Sequence, residues 1–306
     1  MAPITYSPSL GQNLKGRVVV ITGGAQGIGA ATIRQLHSLG AHVVFGDLAD
    51  APAADLISSL QGTGTANFVH TDVTSYPDQL ALFEDALARH GRVDAAVSCA
   101  GVLENPAWFA GLTLEAVRAD ASGADGGIDR VINTNLIAAI QFARLALAFI
   151  AASPPFAGPQ PEDKFVPSVT FTSSLAGLTP TPGMTVYSTT KHGLVGLTRS
   201  LPHVKGLARF NAVCPSATDT GLLPDFVKGA WKGAGFRLQR AEAVADAVVH
   251  LISEASLDRR AVVVAGGKAW ESEEELEKLR GAWLGEENGK EVDDSQAFYF
   301  AAASAS

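Results

Sequence analysis

The chain has 306 residues, of which 47% are apolar and 18% charged, and its formal net charge is −8. That length and composition suit one α/β domain with a sizeable core rather than two domains. An acidic chain without a basic patch is not expected to bind nucleic acid, and no uninterrupted apolar run reaches the roughly 18 residues of a membrane span.

Residues 1–14 read as an N-terminal extension and carry no charged-then-apolar leader pattern. Residues 17–22 form a short β-branched run that predicts a buried strand. Residues 30–39 then carry helical spacing, with Ile33, Leu36 and Leu39 on one face. Between them lie Gly23, Gly24, Gly27 and Gly29. Strand, glycine turn and helix together predict a phosphate site. Glycine lets backbone approach a pyrophosphate, and a helix start offers free N–H groups and partial positive charge. The competing reading is a tight turn with no ligand.

A second strand over 42–47 ends at Gly46-Asp47. An acid placed there, roughly 20 residues past the turn, bonds both ribose hydroxyls of a dinucleotide and repels a 2′-phosphate. Neither Leu48 nor Gln26 supplies a charge to neutralise such a phosphate. The pattern predicts NAD(H) rather than NADP(H); the plainer alternative is a solvated acid at a strand end.

Further strands are expected at 67–71, 95–99, 168–172, 209–213 and 260–264, with helices between. This alternation predicts an α/β, Rossmann-type, doubly wound parallel sheet of about seven strands, one domain over 15–268. Residues 128–150 are apolar nearly all round and need burial on more than one side. Two surface segments look inserted: 102–129, with Trp108 and Phe109, and the proline-rich 151–167. Residues 216–238 mix Phe226, Trp231 and Phe236 with Gly229, Gly233 and Gly235. They read either as a glycine-hinged lid over an apolar substrate or as ordinary packing aromatics.

Residues 269–306 form an acidic tail, with ten acids against three bases from Glu271 to Asp294. The tail reads as a solvated helix with a loose end over 301–306, or as an interaction tail. Cys99 and Cys214 are the only cysteines and read as reduced core residues of a cytoplasmic protein. Seven scattered histidines show no metal spacing, so no metal is expected.

Tyr187 and Lys191 stand four apart, one helical turn, with Ser174 thirteen residues before the tyrosine. Together with the glycine turn, these residues resemble the short-chain dehydrogenase/reductase family over about 15–268. Gly23 to Gly29, with Gln26, Gly27 and Ile28, resembles its cofactor turn. Asp72-Val73 resembles its adenine-contacting pair. Ser98-Cys99-Ala100-Gly101 resembles its Asn-Asn-Ala-Gly segment, with Cys99 in the place of an Asn that ties central strands. Pro215 to Thr220 resembles its Pro-Gly-x-x-x-Thr segment, with Ser216 for Gly. Lys191 to Ser200 is similar to the 15-hydroxyprostaglandin dehydrogenase-like branch. Asn211 to Pro215 and the acidic tail are similar to fungal biosynthetic dehydrogenases. Met184 stands where that branch has a substrate-binding Gln, which argues against a prostaglandin-like polar group there.

The resemblance implies a catalytic tetrad of Asn135, Ser174, Tyr187 and Lys191. Hydride transfer at an alcohol carbon also moves a proton on oxygen. A Tyr hydroxyl, with a free pKa of about 10, serves once a neighbouring cation favours tyrosinate. Ser174 would hold the substrate oxygen, and Asn135 a water that passes protons from Lys191 to solvent. The family also implies pairing of copies through 128–150 and the Tyr187 helix. The expectation is a homodimer or a tetramer of dimers; a monomer in sedimentation at micromolar concentration contradicts it.

The function expected is NAD-dependent interconversion of a secondary alcohol and a ketone on a bulky, largely apolar small molecule, with Met184, Phe226 and Trp231 lining its site. A non-redox cyclase or isomerase on the same scaffold, and a nucleotide-binding regulator, are the alternatives.

Overall fold

The computed structural model describes the chain except residues 1–2, 5, 7–9, 106–108, 110–111, 121–126, 157–164, 202–206 and 304–306. Trp108 and the middle of the proline-rich segment therefore lie outside the described residues.

Eight strands form one sheet in the order β3-β2-β1-β4-β5-β6-β7-β8. They are β1 (Val18–Thr22), β2 (His42–Asp47), β3 (Thr65–His70), β4 (Ala95–Ser98), β5 (Ser168–Thr172), β6 (Arg209–Pro215), β7 (Arg260–Ala265) and β8 (Lys268–Glu271). The first seven run parallel and β8 runs antiparallel to β7. The helices are α1 (Gly27–Ser38), α2 (Asp50–Ser59), α3 (Tyr76–His90), α4 (Leu114–Asp120), α5 (Ile128–Ile132), α6 (Ala138–Ala152), α7 (Thr185–Ser200), α8 (Asp225–Gly233), α9 (Ala241–Ser253), α10 (Glu273–Lys278), α11 (Arg280–Leu284) and α12 (Glu286–Ala303). This is the doubly wound parallel fold expected from the alternation of strands and helices.

The central strands are apolar on both sides because helices cover both faces. Val19 and Ile21 of β1 enter one core with Ile33 and Leu36 of α1 and Val248 and Leu251 of α9. Val18 and Val20 enter the other with Phe83 of α3, Phe142 of α6 and Leu194 of α7. The stretch Ile128–Ala152 is long and apolar enough to cross a membrane by length and composition. Here Phe142, Ala143, Ala146 and Ile150 bury it against the sheet, as a core helix. Ile137 and Ile140 remain exposed on its outer side.

The ends depart from expectation. The sheet has eight strands rather than seven and continues past residue 268. Gly266 and Gly267 both take positive φ, 56° and 77°, and close a two-residue hairpin that returns β8 onto β7. The start of the acidic tail is also bound to the domain. Glu273 is buried and receives a bidentate Arg199 guanidinium at 2.7 and 2.8 Å. Residues 301–303 continue α12 rather than fraying, in keeping with the helix preference of alanine; 304–306 lie outside the described residues. Two described residues before β1 are docked as well: Leu14 is fully buried, and Ile4 N–H donates to the Ala269 carbonyl at 2.7 Å.

Candidate functional site

The strand order reverses between β1 and β4, and the crevice at their carboxyl ends is where open α/β sheets bind ligands. There the glycine turn is packed too closely for side chains. A Cβ on Gly29 would fall 2.0 Å from the Gly23 carbonyl oxygen, and one on Gly23 would fall 2.6 Å from Ala100 N. Gly27 has φ +55°, a conformation that favours glycine. Gln26 precedes α1 without a side-chain cap, so α1 keeps free N–H groups at its start for an anion. The Asp47 carboxylate is held at the same turn. Its oxygens accept from Ala25 N at 2.9 Å and Ala49 N at 3.1 Å. These features fit a dinucleotide: a bare backbone cradle for the pyrophosphate and an oriented acid for the ribose.

The second group comes from β5 and α7. Ser174 follows β5 and accepts from Ala176 N at 3.1 Å. Its hydroxyl donates to the Pro215 carbonyl at 3.5 Å and lies beside Tyr187. Tyr187 and Lys191 lie one turn apart on the buried side of α7. The Lys191 ammonium donates to the Thr172 carbonyl at 2.8 Å and sits 5.4 Å from the Tyr187 ring centre. Asn135 is fixed one layer behind, in a π-helical turn Asn133–Ile137 between α5 and α6. Such turns recur at functional sites. Asn135 Nδ2 donates to the Val102 carbonyl at 2.9 Å, and its Oδ1 accepts from Val102 N at 2.8 Å. A Cβ on Gly101 would lie 3.4 Å from Asn135 Oδ1 and 3.5 Å from Lys191 Nζ, so the two side chains converge there.

Electrostatics modify one expectation. Burial pushes the Tyr187 pKa up, against a smaller lowering by the neighbouring Ser174 hydroxyl. The chain's own cation does not overcome that burial. Lys191 is itself pushed down from 10.5 to about 8, chiefly by burial. Between those two values the unfolded chain holds more of this proton than the native protein does. The penalty is therefore full below pH about 8 and fades as pH rises towards 10.5. Urea midpoints of the protein and of Lys191→Met across that window test this. The wild-type midpoint should gain on the variant as pH rises; a constant gap contradicts it.

One cavity of about 770 Å³ joins the two groups. It is lined by Gly23, Gln26, Gly27, Ile28, Gly29, Asp47, Val73, Ala100 and Gly101, and by Ser174, Met184, Tyr187, Lys191, Pro215, Thr220 and Trp231. Asp72 is not on its wall; the carboxylate accepts from Thr74 N at 2.9 Å and Thr74 Oγ1 at 2.8 Å. Phe226 is not on it either and is 77% exposed. The reason is helical phase: Val227 and Trp231, four apart on α8, face the cavity, which turns Phe226 outwards. Leu103, Leu175, Leu222 and Leu238 line the cavity as well; single apolar residues on loops carry no motif that could have announced them.

Residues 216–238 arch over this cavity. A Cβ on Gly27 would meet Thr220 at 3.2 Å, so the segment begins on the glycine turn. Its base is closed by a Thr218–Gln239 bridge, and buried Gln239 donates to Val264 O at 2.9 Å and Thr218 Oγ1 at 3.1 Å. Trp231 and Phe236 pack ring to ring at 4.9 Å. Opposite, Cys99 keeps the central strands tied through its backbone, its N–H donating to Thr22 O at 3.2 Å. Both cysteine thiols are pushed up by burial, Cys214 to about 12, which disfavours the thiolate. Among the described residues no cluster of His, Cys, Asp or Glu could hold a metal.

Fold and site define a Rossmann-type protein whose crevice brings a glycine turn and a Ser, Tyr, Lys group onto one wall. A family model described as short chain dehydrogenase matches residues 17–231. The chain is 32% identical over 306 residues to the short-chain dehydrogenase/reductase prx4 of Penicillium roqueforti, covering 93% of this chain and 85% of that one. It is 34% identical over 255 residues to cis-4-hydroxycyclohexanecarboxylate dehydrogenase of Sinomonas cyclohexanicum, covering 81% and 93%. The crystal structure of gox2181 superimposes with a TM-score of 0.68 at 25% identity, covering 83% of this chain and 96% of that one. The chain belongs to the short-chain dehydrogenase/reductase family and is an oxidoreductase.

Proposed function

We propose that this protein interconverts a secondary alcohol and a ketone with NAD(H), on a bulky, uncharged and largely apolar substrate. The observation that carries the reading is the convergence of Ser174, Tyr187 and Lys191 on the cavity that also holds the glycine turn and Asp47. The relatives are named as dehydrogenases, one for a ring-borne hydroxyl, which supports chemistry at the alcohol/ketone level.

A bound nicotinamide dinucleotide supplies or accepts the hydride. The chain's own groups do the rest. The Ser174 and Tyr187 hydroxyls, from side chains on the same cavity wall, hold one substrate oxygen between them. Tyr187 gives or takes the proton there. Lys191 is placed by the Thr172 carbonyl and supplies positive charge behind the tyrosine. Asn135 holds the wall beside both.

The substrate end is walled by Leu103, Leu175, Pro182, Met184, Val227 and Trp231. Among the described lining residues the only charged side chains are Asp47 and Lys191. A substrate carboxylate would find no cationic side chain on this wall beyond Lys191 and would lose its hydration, so neutral ring alcohols suit this wall better.

Asp47 supports NAD(H) over NADP(H), because no basic side chain on the described wall beside it offsets a 2′-phosphate. Titration of NADH and NADPH into the protein should show clear preference for NADH. Asp47→Ala should weaken NADH binding and narrow the difference. Equal or tighter NADPH binding by the wild type contradicts the assignment.

A further inference from the structure

The helix that carries Tyr187 and Lys191 has a start its own sequence does not cap. Met184 precedes α7 and offers no side-chain acceptor. The first backbone N–H groups of a helix have no partner within it, and Tyr187 N is the third of them. It donates to the carboxylate of Glu104, which stands 83 residues earlier in the chain. In a local capping box a Ser or Thr at the N-cap, where Met184 stands, would accept this N–H; here the acceptor arrives from the loop after β4.

That loop is anchored at three successive residues, each to a different part of the site. Val102 is held at both its N–H and its carbonyl by Asn135, at 2.8 and 2.9 Å. The Leu103 carbonyl accepts from Arg130 of α5 at 3.1 Å. Glu104 then takes the Tyr187 N–H. The opposite side of the strap, Gly101 to Leu103, is cavity wall. The strap therefore joins the π-helical turn at Asn135 to the first turn of α7. It sets how the tyrosine is placed against the wall where a substrate would lie.

We propose that Glu104 is a positioning residue for the proton-transfer step, acting through the Tyr187 backbone; this rests on Tyr187 being the acid/base. A displacement of about 1 Å in such a group costs on the order of 100-fold in rate, and a side-chain acceptor at this helix position is what resists it.

The test measures NADH formation from NAD with the fastest of cyclohexanol, menthol and borneol, alongside NADH binding. Glu104→Ala should lower kcat by ~10-fold or more while leaving the NADH Kd within ~2-fold, because the strap touches the chemistry and not the glycine turn. Glu104→Gln, whose amide oxygen still accepts the Tyr187 N–H, should restore kcat to within ~3-fold of wild type. If Glu104→Ala does not fold, Glu104→Met keeps the bulk without the acceptor and takes its place. Wild-type kcat in the Ala or Met variant overturns the inference. So does a Gln variant as impaired as the Ala variant, or a loss of NADH affinity equal to the loss of kcat. Tyr187→Phe in the same assay separates the two levels. If it keeps full turnover, the underlying reading fails; if it is inactive while Glu104→Ala is at full kcat, only this inference fails.

Discussion

Replacing Tyr187 by Phe is expected to lower turnover by roughly 100- to 10,000-fold, the usual range for loss of a general acid–base group. The change removes one oxygen. It leaves the ring in its place on α7, where the side chain is 8% exposed, and it leaves the glycine turn and Asp47 untouched. NADH should therefore bind as before. The loss should appear in kcat and kcat/KM alike, as it does when an interaction made in the transition state is removed. Burial raises the tyrosine pKa in the structure, which favours the protonated hydroxyl that the proposed reduction of a ketone would require. In the proposed oxidation direction the hydroxyl would first have to lose that proton, and Lys191 is the cation placed to favour this.

Asp94→Ala is expected to cost about 3–5 kcal/mol of folding stability, the range for breaking a buried ion pair. Asp94 stands just before β4, at the opposite end of the strands from the cavity, and is 1% exposed. Its carboxylate accepts from Arg17 at 3.1 Å, from Val18 N at 2.9 Å and from Arg92 at 2.9 and 2.6 Å. Arg17 is itself buried, with Phe156 stacked 3.6 Å from its guanidinium carbon. Removing the acid takes away the buried carboxylate that Arg17 and Arg92 share. Urea denaturation reads the loss directly. Because the network lies far from Tyr187, kcat of the folded fraction should stay at the wild-type level; a variant as stable as wild type contradicts this account of the ion cluster.

The sequence reveals most where chemistry demands a residue type at a fixed spacing. Gly23, Gly27 and Gly29 are legible because only glycine fits their turn. Tyr187 and Lys191 are legible because four residues make one helical turn. Asp47 is legible because a strand end places it. All of them line the one cavity. Contacts between distant segments leave no such trace. Glu104 meets Tyr187 across 83 residues, and Asp94 gathers Arg17 from just before β1, with no periodicity to mark either. Phe226 and Val227 are adjacent in sequence, and only the phase of α8 decides which faces inwards. β8 was readable in principle: Gly266-Gly267 between two apolar runs is a hairpin signal. The acidic residues that follow read as a tail in the sequence, while Glu271 pairs with β7 and Glu273 is bound by Arg199.

The most direct measurement is of nicotinamide absorbance as the wild-type protein meets NAD and a series of neutral ring alcohols, with the products identified by mass spectrometry. The account predicts one ketone formed for each NADH, abolished by Tyr187→Phe. Consumption of a substrate without any change in nicotinamide absorbance, or with turnover indifferent to Tyr187, would contradict it.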